Sequence, residues 1–325
     1  MIRRRGILAL LGGAVALGPF WARAQQSMPE IGFLHQGLPE PIPLMDAFSK
    51  GLDAAGIGVE RDVRIEHRWA EGQYDRLPAL AKELLGRNVA VIAANFLPAA
   101  LAAKAATRTI PIVFLSVGDP IASGLVSSVN RPGGNVTGIA LGFTRSGPKN
   151  LELLHELLPN VAMIAVLMNP TNPNAAHQVN DLQAAARSFG LQLDIFGAST
   201  ANEIDEALER VAERQIGALL VTADGFLIGR QDQLLTLVAR YSVPTIYPLS
   251  QYVAAGGLIS YGPSLSDAFH QTGRYVGRIL KGTAPADLPV LQAANFELVI
   301  NLKTARSLSL TVSQSLLQRA NEVLE

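Results

Sequence analysis

At 325 residues the chain exceeds what one hydrophobic core usually organises, so two domains or lobes are expected. It contains no cysteine, which excludes disulfides and any Cys-based metal site. Lysine plus arginine balance aspartate plus glutamate at 27 each, a charge pattern that favours neither nucleic acid nor an anionic membrane as partner.

The N-terminus has the layout of a secretory signal peptide. Arg3, Arg4 and Arg5 are followed by a small, apolar run over 6–20 and by the A-x-A site Ala22-Arg23-Ala24. The apolar run is about 15 residues, shorter than the roughly 20 a spanning helix needs. Residues 1–24 are expected to be removed on export, leaving 23 basic against 27 acidic side chains, a net charge of −4. Arg4-Arg5 also suits a twin-arginine signal, so the general secretory and twin-arginine routes both stay open. A lipid anchor at the cleavage site requires a cysteine, which is absent. The expectation is a protein free in the periplasm of a two-membrane bacterium, without a stable membrane anchor.

From there the chain alternates strand-length apolar runs with helical periodicity. The runs are Glu30–His35, Val63–His67, Val89–Ala94, Ile110–Phe114, Asn135–Ala140, Met163–Asn169, Leu191–Phe196, Gly217–Thr222, Pro244–Tyr247 and Leu258–Tyr261. Between them lie helical segments such as Leu44–Ala55, Tyr74–Gly86, Asn174–Phe189, Asn202–Arg214 and Arg230–Tyr241. Strands apolar throughout, alternating with helices, predict parallel sheets covered on both faces, an α/β fold. A weak repeat pairs the segment ending Asn95-Phe96 with that ending Asp224-Gly225-Phe226. Each precedes a helix and then a strand entered through proline, Pro111 or Pro244, at separations of 130 and 133 residues. Either this is the look-alike that any doubly wound sheet produces, or it marks two similarly built lobes whose equivalent loops face one cleft.

Several blocks are more specific. They are Ile31-Gly32-Phe33-Leu34, Pro98-Ala99-Ala100, Ile110-Pro111-Ile112-Val113-Phe114, Val117-Gly118-Asp119-Pro120, Gly124-Leu125-Val126, Pro132-Gly133-Gly134-Asn135-Val136-Thr137-Gly138, Asn169-Pro170 and Ala305-Arg306-Ser307-Leu308. With them the chain resembles the ABC-transporter substrate-binding proteins of the type I periplasmic-binding fold, in the branch related to tryptophan- and tyrosine-binding lipoproteins. It departs from them in lacking the lipobox cysteine and in carrying Asn95-Phe96-Leu97 where smaller residues are common. The resemblance implies two doubly wound parallel-sheet lobes joined by a hinge. Residues 27–141 plus 262–285 would form the first, and 142–261 plus 286–325 the second. It further implies a small-molecule ligand, closure by hinge bending and delivery to an ABC-transporter membrane permease; a soluble periplasmic sensor feeding a signalling receptor is the alternative.

Loop positions supply the candidate ligand-binding residues. His35 and Gln36 follow the first strand and are either ligand contacts or structural. Asn95 and Phe96 end the third strand before a helix with Pro98 in its first turn, whose free amides suit a carboxylate. Ser116 ends the fourth strand as a donor or a cap. In the second half, Asn169 and Asn174 belong to a loop rich in turn formers. Asp224, before Gly225 and Phe226, is placed either to receive an ammonium group or to cap the next helix. Phe96, Phe226, Tyr247 and Tyr261 are expected near the rim, either against an apolar group of the ligand or in the core. The combined expectation is an amino acid, with a simple aromatic acid as competitor. Enzyme readings lack support: there is no G-x-S-x-G, H-E-x-x-H or P-loop, and the five histidines lack metal-ligand spacing. No cofactor, no metal and no nucleic-acid partner are expected.

Overall fold

A computed structural model describes residues 28–325 apart from 40, 41 and 117. The expected signal peptide lies outside the described residues. The first sheet contains β1 (Glu30–His35), β2 (Arg64–Trp69), β3 (Val91–Asn95), β4 (Ile112–Ser116), β5 (Val136–Ala140) and the short β11 (Leu291–Gln292). The second contains β6 (Met163–Met168), β7 (Gln192–Gly197), β8 (Leu219–Val221), β9 (Thr245–Tyr247), β10 (Ile259–Pro263), β12 (Phe296–Asn301) and β13 (Glu322–Leu324). The strand orders are β11-β5-β4-β3-β1-β2 and β13-β12-β10-β9-β8-β6-β7. Every pairing is parallel except β10 with β12. Within them, 5-4-3-1-2 and 10-9-8-6-7 are the same order shifted by five strands, so the repeat read from the sequence is two equivalent windings.

The apolar character of the central strands has its cause in this topology. β3 (VIAAN) and β4 (IVFLS) are buried along their whole length between helical layers, whereas edge strand β2 (RIEHRW) is not. One face of the first sheet carries α2 (Leu77–Gly86) and α3 (Leu97–Ala106). The other carries α1 (Ile42–Ala54) and α10 (Leu265–Leu280), which lie against each other. Their approach requires glycine: a Cβ on Gly273 would sit 2.1 Å from the Phe48 carbonyl oxygen. In the second lobe α4 (Phe143–Leu157) packs on α5 (Ala175–Phe189), and α6 (Ala201–Glu213) on α8 (Gln231–Tyr241). Helix α6 starts with a capping box, Thr200 accepting from the Glu203 N–H while the Glu203 carboxylate reaches back to the Thr200 N–H.

The chain passes between lobes after β5, after β10 and between β11 and β12. Residues 291–292, expected in the second lobe, instead pair with β5, Leu291 opposite Ile139. A two-residue strand has too little periodicity to be visible beforehand. One apolar cluster runs from Phe33 and Phe96 of the first lobe to Phe226 and Leu227 of the second, so the lobes are closed on each other. No helix among the described residues is long and apolar enough to cross a membrane.

Candidate functional site in the cleft between the lobes

The carboxyl ends of β1, β3 and β4 face those of β6 and β8 across the seam, the position at which open parallel sheets take ligands. Asp224 lies at its centre, following β8 and 2% exposed. One carboxylate oxygen, Oδ1, accepts from the backbone N–H of Phe226 (2.9 Å) and Leu227 (3.1 Å), capping the short helix α7 (Gly225–Ile228). It also accepts from Asn169 Nδ2 at 3.2 Å. The other, Oδ2, accepts from Asn172 Nδ2 at 2.6 Å and from the Tyr74 hydroxyl at 2.9 Å. Burial pushes the Asp224 carboxyl above its ordinary pKa, while these donors act in the opposite direction. Burial, aided by the Asp224 charge, holds the Tyr74 phenol far above its usual value, so it stays protonated and donates.

Tyr74 belongs to the first lobe, in a 3₁₀ turn over Tyr74–Arg76, and its bond to Asp224 crosses the seam. Three other contacts cross with it. A Cβ on Gly225 would meet Gln36 Nε2 at 1.9 Å, so only glycine lets the Gln36 amide lie there. Asn174 sits against Gly118, and the Phe226 ring against Gly72. The Phe226 ring also carries the Arg230 guanidinium at 5.7 Å.

The first lobe's contribution is different in kind. Gln36 and Asn95 are each 1% exposed, yet Gln36 Oε1 and Asn95 Nδ2 have no hydrogen-bond partner. Buried polar atoms are nearly always satisfied, so an acceptor and a donor left open at neighbouring strand ends call for an occupant. Asn95 is followed by Phe96 at φ 67 and ψ 162, a backbone region otherwise reserved for glycine. Helix α3 follows with no side-chain cap, leaving first-turn amides unclaimed by side chains. The Phe96 ring meets His35 edge-on at 5.4 Å, and His35 Nδ1 accepts from the Gly37 N–H at 2.8 Å. Ser116 is buried at the end of β4.

Among the residues proposed from sequence, His35, Gln36, Asn95, Phe96, Ser116, Asn169, Asn174, Asp224, Gly225 and Phe226 stand at these facing strand ends. Two aromatics do not join them. Tyr247 is fully buried, stacked on Tyr252 at 4.6 Å and directed toward Gly257, while the Tyr252 hydroxyl donates to the Leu227 carbonyl. Through that stack Tyr247 backs Tyr252, which reaches α7. Tyr261 stacks on Phe296 at 5.6 Å, and Phe296 lies over hinge residue Gly142. Tyr74 and Asn172 were not among the sequence candidates. Asn172 shares a loop with Asn169 and was legible in principle; Tyr74 is 150 residues from Asp224 and carries no local signal.

Residues 41–324 match the profile of the ABC transporter substrate binding protein family. The chain belongs to this family. It is 27% identical over 263 residues to the tyrosine-binding protein of Clostridioides difficile strain R20291, covering 81% of this chain and 75% of that protein. Among solved structures, an ABC domain from Streptococcus pneumonia in complex with L-Trp superposes with a TM-score of 0.79 at 28% identity, covering 90% of this chain and all of the other. The ligand-free, open structure of a substrate-binding protein with adhesive properties from Clostridium difficile gives 0.64 at 25% identity, over 91% and 99% of the two chains. The family member's fold is that of the type I periplasmic-binding proteins. Its higher similarity to the ligand-bound relative than to the open one agrees with the contacts across the seam.

Proposed function

We propose that this family member is the periplasmic substrate-binding component of an ABC-type importer, and that it closes on an aromatic amino acid. The signal-peptide layout of residues 1–24 supports export, and family membership supports a permease as partner. The observation that carries the ligand class is the pair of buried, unpartnered amides, Gln36 and Asn95, at neighbouring strand ends, with Gln36 packed against Gly225 beside Asp224. In this reading the ligand's ammonium meets Gln36 Oε1, with the Asp224 carboxylate, its oxygens already engaged, acting through its charge. Its carboxylate meets Asn95 Nδ2 and the first-turn N–H groups of α3, where the helix dipole favours an anion. The relatives' tyrosine and L-Trp point to an aromatic side chain. Closure brings Tyr74 onto Asp224 and Gln36 onto Gly225, sealing the ligand from water and creating the surface a permease recognises.

The test is a thermal-shift and calorimetric panel on protein unfolded, freed of co-purified ligand and refolded. A ligand that binds only the folded state raises its stability by mass action. L-Trp, L-Tyr or both should shift the melting temperature, whereas the corresponding amine-free aromatic acids should not. Equal shifts from the amine-free acids would remove the ammonium from the account, and no shift from any amino acid would refute it.

A further inference from the structure

Two hollows bordered by the described residues lie between the lobes, and Phe96 lines one while Leu97 lines the other. The first holds about 230 Å³, walled by His35, Phe96 and Leu265 of the first lobe and by Gly225, Ile228 and Gly229 of the second. The second holds about 320 Å³, between Leu97 and Gly118 of the first lobe and Asn174 of the second. The first hollow is bordered by the chain neighbours of both open amides: His35 precedes Gln36, and Phe96 follows Asn95. It is also bordered by Gly225, on which the Gln36 amide lies. The two spaces differ in charge. Asp119, Asp181 and His177 line the second, so an apolar ring seated there would strip water from two carboxylates. Around the first, the only carboxylate among the described lining residues is Asp232, exposed on the first turn of α8. Phe96 borders that space while held at φ 67, strain of a kind that clusters at ligand clamps.

Two further residues give the first hollow a polar end. Gln231, at the start of α8, and Gln251, in the short helix after β9, both line it and are half-buried. Neither side-chain amide is bonded to another described residue. We infer that this hollow receives the ligand's aromatic side chain, with Gln231 and Gln251 as specificity-determining residues that bond the polar atom of its ring. This rests on the amino-acid reading above. A glutamine amide carries both a donor and an acceptor, so it can meet a phenol hydroxyl in either sense and accept from an indole N–H. Because both amides are half-buried, water partly replaces that bond when the ring has no polar atom, and the discrimination is severalfold rather than absolute.

The experiment is calorimetric titration of the refolded, ligand-free protein with L-Tyr, L-Trp and L-Phe, for wild type and three variants checked for a cooperative melting transition. Gly229 has a helical backbone, φ −66, and a Cβ there would stay 3.4 Å or more from its neighbours, so Gly229→Leu narrows the first hollow without backbone strain. Ala122→Leu, on the wall of the second hollow, is its counterpart. Gly229→Leu should weaken all three ligands at least about tenfold, and Ala122→Leu should leave them within about twofold. Wild type should prefer L-Tyr or L-Trp to L-Phe by about fivefold, and Gln231→Leu combined with Gln251→Leu should erase that preference with L-Phe unchanged. Wild-type affinity in Gly229→Leu, or a loss carried by Ala122→Leu instead, would overturn the assignment alone. So would an undiminished preference in the double glutamine variant, whose half-buried positions keep the test open even if Gly229→Leu fails to fold. Absence of binding by all three amino acids would overturn the assignment and the amino-acid reading together.

Discussion

The two walls of the cleft are built on opposite principles. On the second lobe, Asp224 is fully engaged, with five donors from α7, Asn169, Asn172 and Tyr74. On the first lobe, Gln36 and Asn95 are as deeply buried and have polar atoms bonded to nothing. Four of the five donors to Asp224 come from its own lobe, so the position of that carboxylate is fixed whether or not a ligand is present. A wall with open bonding capacity gains most when a ligand arrives. The second lobe supplies a preorganised charge and the first supplies the unmet demand.

The sharpest break in this contrast is Asp224→Ala. It strands the side chains of Asn169, Asn172 and Tyr74 and uncaps α7, so we expect a stability loss on the order of 3 kcal/mol by urea denaturation, along with loss of binding. Substituting the first wall should do the reverse. Gln36→Met and Asn95→Leu remove unsatisfied groups at similar volume, so stability should stay within about 1 kcal/mol while affinity falls at least about tenfold. If those variants unfold as readily as Asp224→Ala, the walls do not differ in kind.

Tyr74→Phe addresses the bond that joins the walls. It should cost about 1 kcal/mol and widen the distribution of interlobe distances in ligand-free protein, read by paired spin labels on the two lobes. An unchanged distribution would show that Tyr74 plays no part in holding the lobes together. The smallest effect concerns acidity. His67 of β2 stacks on Trp69 at 4.8 Å, and burial lowers its pKa below the ordinary 6.5. The unfolded chain then takes up a proton that the folded chain resists. Stability is therefore highest above about pH 6.5 and declines as pH falls below it. His67→Gln should flatten that slope in denaturation curves at pH 7.5 and 5.5; an unaltered slope would assign it to other groups.

Much of the fold was legible because parallel sheets bury central strands on both faces, so that strands such as β1, β3, β4 and β6 announced themselves as apolar runs, unlike the charged edge strand β2. Equivalence of the Asn95 and Asp224 loops was readable from the Pro111 and Pro244 spacing, and the shared strand order explains it. The C-terminal strands β11, β12 and β13 were not read, since they are short or flanked by polar residues and form by pairing across long sequence separations. In the site, loops directly after strands could be picked out one by one. What sequence could not reveal is partnership: Tyr74 reaches Asp224 only because the lobes close, and Tyr247 turns inward only because α8 and α9 (Ser250–Ala254) cover it. Helix α4 was not among the segments read from sequence, since its Gly147-Pro148 pair disguises it.

The most direct test of the central claim is a crystal structure of the protein with L-Trp or L-Tyr bound. The account predicts that Gln36 Oε1 and Asn95 Nδ2 each lie within about 3.2 Å of the ligand's ammonium and carboxylate respectively, with the Asp224 cage intact. A bound ligand that leaves both amides without contact, or that sits outside the seam, would contradict it.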